Sequence, residues 1–135
     1  MSRFYAIDEA NAALPEVERI LAALRDQREE LIQLRDRVLA ATPDGDETPT
    51  VGAAEQVRLL RLGMQGLIDQ MQAGVARLVE MDITLRDIST GLIDFPALVA
   101  GRPIWLCWRL GEDDIDWWHG VDEGFAGRRR LADLV

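Results

Sequence analysis

The sequence predicts an α+β fold in which a long antiparallel, coiled-coil-like hairpin of two helices precedes a small antiparallel β-sheet. Two observations predict the helices: apolar residues recur at alternating steps of three and four, and a cluster of helix breakers separates the two periodic segments. A third observation predicts the sheet, because residues 91–130 hold all four tryptophans and alternate β-branched or aromatic runs with turn residues. We expect a single domain over 1–135, with the hairpin at about 9–90 and the β-unit at about 91–130.

The first predicted helix extends to about Ala41 and carries one apolar stripe that faces a partner helix. The breaker segment Thr42–Gly52, with two prolines and two glycines, predicts the loop of the hairpin. The stripe consists of Val17, Ile20, Leu24, Gln27, Leu31, Leu34 and Val38, of which only the glutamine is polar.

The second predicted helix extends from about Ala53 to Ile88 and is apolar on two sides. Because the first helix covers only one side, the other side needs a second cover. We therefore expect a homodimer through the helices, as a four-helix bundle, with coverage by the β-unit of a monomer as the alternative. The first side consists of Val57, Leu60, Met64, Leu67, Met71, Gly74, Leu78, Met81, Leu85 and Ile88, and the second of Leu59, Leu62, Val79 and Ile83.

The tail predicts three strands. Gly91 is in the usual position for ending a helix, and a short strand over 92–95 is expected to stop at Pro96. Strands over 104–110 and 115–119 then form a hairpin closed by a four-residue loop. That loop pairs Leu106 with His119 on one face and Cys107 with Trp118 on the other, and it places opposite charges and aromatic residues across from each other.

His119 is the only histidine and the only candidate histidine for a metal site. Its neighbours Glu112, Asp122 and Glu123 suggest a metal or acid–base site, although a metal usually needs three or more protein ligands. The alternative is a structural histidine that hydrogen-bonds a carboxylate or a carbonyl. Cys107, in the middle of a strand, is expected to be a small buried hydrophobe.

A rim of polar residues on the tail is the candidate ligand-binding site, with one tryptophan as its wall. Structural ion pairs are the alternative for its charged members. No nucleophile elbow, phosphate loop or paired-cysteine zinc motif is present, so the sequence names no reaction, catalytic residue or cofactor. The candidates are Arg102, Glu112, Trp118, His119, Asp122 and Arg128.

Composition limits the partners of this acidic chain. The net charge of −9 argues against nucleic acid, in spite of the run at 128–130, and against anionic membranes. No apolar run approaches the roughly 20 residues that a spanning helix needs. One cysteine and a charged, polar start without a secretory signal lead us to expect a cytoplasmic location.

Several motifs resemble a prokaryotic family known as domain-of-unknown-function family 2203. They are EAN at 9–11, LP at 14–15, GLIDFP at 91–96, GR at 101–102, LCWRLGE at 106–112, WH at 118–119 and GFAGR at 124–128. The resemblance covers nearly the whole chain and implies the extent of the domain, but it implies no reaction.

Two functions follow as hypotheses. The first is a self-associating helical scaffold or interaction module in the cytoplasm, which depends on the surplus apolar side of the second helix. The second is a protein that binds a small ligand or a metal, or an enzyme, whose site lies on the β-unit around His119. The sequence identifies neither the ligand nor a protein partner.

Overall fold

The structure is a computed structural model that describes residues 3–42 and 48–134. Two helices packed against each other precede a five-stranded antiparallel sheet, which confirms the predicted fold class. Helix α1 covers Ile7–Ala41 and helix α2 covers Val51–Glu80. The strands are β1 (Thr84–Asp87), β2 (Leu92–Val99), β3 (Arg102–Arg109), β4 (Trp117–Gly120) and β5 (Arg129–Arg130), paired in that order, with short 3-10 helices at Phe125–Gly127 and Leu131–Leu134.

The chain divides into two compact units, one of residues 1–25 with 74–135 and one of residues 26–73. Among the described residues, none of the helices is long and apolar enough to span a membrane. The middle of the predicted hairpin loop, residues 43–47, lies outside the described residues, and Val51 and Gly52 already belong to α2. The single-domain interpretation stays a prediction.

The first unit buries the start of α1 together with one face of the sheet. The α1 residues recur at helical spacing, so they form one apolar stripe. A T-shaped contact between Tyr5 and Phe95, with ring centroids 5.0 Å apart, joins the segment before α1 to β2. The buried set is Ala10, Leu14, Val17, Leu21 and Leu24 on α1, and Ile93, Phe95, Ala97, Ile104, Leu106 and Trp108 on the sheet.

The second unit is a hairpin of two helical segments. Gly63 lets the segments approach closely, because a Cβ there would lie 3.3 Å from the Leu34 side chain. The Gln27 amide donates to Gln70 Oε1 at 3.3 Å, which pairs two polar residues between the helices. Leu60 and Leu67 are buried, and Leu39, Val51, Leu59 and Leu62 are exposed.

The prediction that the second helix reaches Ile88 is wrong. Helix α2 ends at Glu80, Asp82 takes a positive φ of 59°, and β1 begins two residues later. The spacing of Met81, Leu85 and Ile88 matches a helical stripe by coincidence, because all three residues follow the end of α2. Gly91 does not end a helix. It turns the chain from β1 into β2 at φ 67°, and a Cβ there would lie 2.6 Å from that of Leu110.

The prediction that a strand stops at Pro96 is also wrong, because β2 continues to Val99. A strand residue directs its N and its carbonyl toward the same neighbour. Pro96 lies beyond the part of β2 that pairs with β1, because that pairing reaches only Asp94. The missing N–H of Pro96 therefore removes no hydrogen bond to β1. The Pro96 carbonyl accepts a hydrogen bond from the Tyr5 N–H at 2.7 Å instead.

The β3–β4 register differs from the predicted one by one residue. Cys107 lies opposite Trp117, and Trp105 lies opposite His119. The connection between β3 and β4 is longer than the predicted four residues. The predicted strand residue Ile115 does not pair with β3, and its N–H donates to Asn11 Oδ1 at 2.7 Å instead. Since side chains alternate along a strand, a shift of one residue moves His119 to the other face of the sheet.

Candidate functional site

The register brings Asp94, Cys107 and His119 to one face of the sheet. Asp94 of β2 lies directly opposite Cys107 of β3, and His119 of β4 is diagonal to that pair. One ligand atom from each residue lies within 4.8 Å of the others. All three residues are 1% exposed. A buried acid and a buried histidine are costly unless they have polar partners. The group, named the buried triad below, is therefore the most unusual polar feature of the sheet.

The imidazole of His119 is fixed through both nitrogens. Nδ1 lies 3.0 Å from the Gly120 carbonyl oxygen, which can only accept, so Nδ1 carries a proton and donates it. Nε2 lies 3.0 Å from each carboxylate oxygen of Asp94. If the imidazole is neutral with its proton on Nδ1, the lone pair of Nε2 faces the Asp94 carboxylate, which is also an acceptor. Either a second proton or a cation must lie between the two groups.

Asp94 also pairs with Arg86 of the neighbouring strand. Arg86 Nε donates to Asp94 Oδ2 at 2.8 Å, and the guanidinium lies 5.1 Å from the centroid of the Trp105 ring. The carboxylate is thus held from two sides by groups on β1 and β4. This charge pairing fits the rule that a buried charge is compensated by its partners.

Cys107 completes the triad as a buried thiol. Burial is the main cause that raises the pKa of Cys107 to about 12, and the nearby carboxylate of Asp94 acts in the same direction. The expectation of a small buried side chain is met, but the thiol is not surrounded by apolar groups alone. A metal ion at the triad would replace this proton, because the thiolate is the ligand form.

The predicted rim divides into two groups. Arg128 and Glu112 form an ion pair, with Nη2 2.8 Å from Oε1 and 2.9 Å from Oε2. The guanidinium of Arg128 lies between the rings of Trp117 and Phe125, at 4.7 and 4.6 Å from their centroids. Glu112 also accepts from the Arg109 N–H at 2.7 Å, which closes the β3–β4 loop. This half of the rim has the contacts of a structural ion pair.

The other group adjoins a cavity of about 350 Å³ that Arg102, Trp118 and Asp122 help to line. The indole N–H of Trp118 is buried and has no hydrogen-bond partner among the described residues. Asp122 also lines a second cavity, of about 310 Å³, together with the buried triad. Of the predicted site residues, His119 and Asp122 are therefore the two that the structure places beside one cavity with Asp94 and Cys107.

Asp94 was absent from the predicted rim, yet the sequence carries a signal for it. It is the one acid inside the otherwise apolar strand 92–99, and a strand buried on both faces rarely contains an acid without a partner. The partner itself is not visible in the sequence, because it lies 25 residues along the chain on β4.

A model of the family described as "Uncharacterized conserved protein (DUF2203)" matches residues 3–131. The chain belongs to this family. The matched range contains the whole sheet, and it contains every residue of the buried triad and of the predicted rim. Neither the curated proteins nor the solved structures gave a match.

Proposed function

We propose that this protein binds a divalent transition metal through Asp94, Cys107 and His119. The observation that carries the proposal is the orientation of His119, whose Nδ1 is committed to a backbone carbonyl while Nε2 points at the Asp94 carboxylate. Metal-bound histidines in proteins are typically fixed in this way, with the non-ligating nitrogen donating to a carbonyl or carboxylate.

The distances between the candidate ligand atoms of the triad are compatible with a bound metal ion. In a tetrahedral zinc site, bond lengths of about 2.0 Å place a nitrogen and an oxygen ligand roughly 3.3 Å apart. The His119–Asp94 separations of 3.0 Å are close to this value. Cys107 contributes sulfur within 4.8 Å, so a small side-chain rotation brings the third ligand into range.

The ligand types indicate the class of metal. Thiolate and imidazole favour zinc and its first-row neighbours, whereas calcium and magnesium prefer ligand sets made of oxygen. Three protein ligands leave a fourth tetrahedral position for water or another molecule. The rival account is an ion network without metal, in which His119 carries two protons and pairs with Asp94.

Metal uptake distinguishes these accounts. The protein is stripped with a chelator under reducing conditions and titrated with zinc and with cobalt(II). We expect about one equivalent per chain and the visible absorption of a tetrahedral cobalt–thiolate site. Asp94→Asn, Cys107→Ser and His119→Gln should each abolish this uptake. Asp116→Asn removes a surface acid that pairs with Arg130, so it serves as the matched control. A folded wild-type protein that takes up neither metal contradicts the proposal.

As a second candidate function, we propose that the helices self-associate into a homodimer. Leu59 and Leu62 of α2 are 56% and 57% exposed, and they lie close together beside a groove of about 410 Å³ that Leu59 helps to line. Neighbouring exposed leucines favour association over a solvated helix face. A dimer would give this family member the role of a scaffold or interaction module.

Light scattering during size-exclusion chromatography tests the dimer. We expect a dimer at micromolar concentration that dissociates when Leu59 and Leu62 are both changed to Gln. Leu98→Gln, on an exposed residue of the sheet, is the control that should stay dimeric. A monomeric wild-type protein contradicts self-association and leaves the metal proposal intact. A cytoplasmic location is also part of our proposal, because a reducing compartment keeps the Cys107 thiol available as a ligand.

A further inference from the structure

A cavity of about 310 Å³ adjoins the buried triad. Its lining includes Asp94, Cys107 and His119, together with Arg86, Asp122 and Phe125. The volume is at the lower end of the range for small-molecule sites. An ion at the triad would therefore have its remaining coordination position next to a space that admits a small molecule.

Arg86 is positioned to bind a ligand in this cavity. Its Nε–H is used by Asp94, and its guanidinium is held over Trp105. The two terminal amino groups of Arg86 make no hydrogen bond or ion pair within residues 3–42 and 48–134. An arginine fixed at one edge and stacked on a ring loses little entropy when the other edge binds a planar anion.

The charges around the cavity favour an anion once a metal is bound. A divalent ion is balanced by the Asp94 carboxylate and the Cys107 thiolate, so the charge of Arg86 stays uncompensated. Glu123 is already occupied, because Oε1 accepts from the Gly120 N–H at 2.9 Å and Oε2 from Arg129 at 2.9 Å. Asp122 and Arg86 are both exposed, so solvent and salt screen both charges, and Arg86 favours an anion chiefly through its unused donor groups.

We infer that the metal site takes a small oxyanion, a carboxylate or a phosphate, with one oxygen on the metal and another on the terminal amino groups of Arg86. The inference rests on the proposed metal site, and it names the class of ligand for that site. The same two cations, the metal and the guanidinium, would recognise either anion.

The visible spectrum of the cobalt-loaded protein tests the inference. Acetate, inorganic phosphate and methylammonium are titrated separately, each at constant ionic strength. We expect a saturable spectral change with acetate or phosphate and none with methylammonium. The anion that gives the tighter constant identifies the source, carboxylate or phosphate. Arg86→Gln should weaken that constant by roughly tenfold or more, since a hydrogen bond to a charged group is lost.

Arg102→Gln is the matched control, because it removes the same charge from an exposed arginine that lines the other cavity. It should leave the anion constant unchanged. If Arg86→Gln does not load cobalt, Arg86→Lys replaces it, since lysine keeps the charge and loses the planar pair of donors. We expect weaker anion binding there too.

The outcomes separate the two proposals. No cobalt spectrum in the wild-type protein contradicts the metal site itself. A cobalt spectrum that neither acetate nor phosphate perturbs overturns only the oxyanion inference. An anion constant that is the same in wild type and in the loaded Arg86 variant also overturns it.

Discussion

His119 Nε2 lies 3.0 Å from both carboxylate oxygens of Asp94, although the two residues are on strands that do not pair with each other. Strand β3 lies between them and contributes Cys107 at the same level of the sheet. Three strands therefore each supply one polar side chain to a single buried point. Such a convergence costs desolvation energy, which a bound cation or a charge-paired network must offset.

We predict that Asp94→Asn destabilises the metal-free protein by about 3 kcal/mol. The amide is neutral, so Arg86 loses its ion pair and His119 loses the carboxylate. Asp116→Asn breaks a half-exposed pair with Arg130 and should cost less than about 1 kcal/mol. Urea unfolding at neutral pH measures both values. Equal losses in the two variants would mean that the buried network adds no particular stability.

The two helices and the tail strands were predictable because their signals are local. Apolar spacing depends on residues three or four apart, and the stripe through Val17 and Leu24 is buried in the first unit. The ends of the elements depend on less regular features. A turn at Asp82 interrupts a spacing that continues by coincidence into β1, and Pro96 is accepted in β2 because its N faces no neighbouring strand.

The candidate site was only partly predictable because its geometry depends on a register. The predicted register places tryptophans opposite each other, whereas the observed register places Trp117 opposite Cys107. The observed register, in which His119 shares a face with Cys107, is accompanied by the bond from Ile115 to Asn11. That bond joins residues 104 apart in the chain. No local pattern can reveal it, so His119 was found as a candidate and its two partners were not.

Zinc should raise the thermal stability of the wild-type protein. At a free zinc concentration 100 times the dissociation constant, the native state gains about 2.7 kcal/mol, which is a rise of roughly 10 °C in Tm. Thermal unfolding followed by circular dichroism, with zinc or with excess chelator, measures the shift. His119→Gln should show no such shift, and calcium should give none with the wild-type protein. A shift that persists in His119→Gln would place the zinc elsewhere.

The Cys107 thiol should react slowly in the folded, metal-free protein. Its pKa is raised from 9.0 to about 12 by burial, so the thiolate fraction near neutral pH falls about a thousandfold. We expect iodoacetamide to modify the native protein at least about 100-fold more slowly than the urea-unfolded chain. Mass spectrometry of timed samples gives both rates. Equal rates would show that the thiol is exposed.

The same shift predicts a loss of stability in alkali. The unfolded thiol ionises near 9 and the folded thiol near 12, so the native state holds the proton longer and its stability falls as the pH rises between these values. Burial also raises the pKa of Tyr5, which adds a loss in the same direction. Cys107→Ser keeps Tyr5, so the difference between the two pH profiles isolates the thiol. Parallel profiles would contradict the raised pKa.

Asp87 should contribute to stability near neutral pH and lose this contribution in acid. Hydrogen bonds from Thr90 and Ser89 lower the pKa of Asp87 below 3.8. A lowered folded pKa means that the contribution is present above the unfolded value and disappears as the pH falls through the folded one. Tm measured from about pH 6 to about pH 2 should therefore fall less steeply in Asp87→Asn than in the wild type. An unchanged slope would contradict a role for this turn.

The central claim is that Asp94, Cys107 and His119 bind one metal ion together. X-ray absorption at the zinc edge of the zinc-loaded protein tests this claim most directly, since it reports the ligand atoms and their distances. We predict one sulfur at about 2.3 Å and nitrogen or oxygen ligands at about 2.0–2.1 Å from the zinc. A wild-type shell of nitrogen and oxygen alone would contradict the claim.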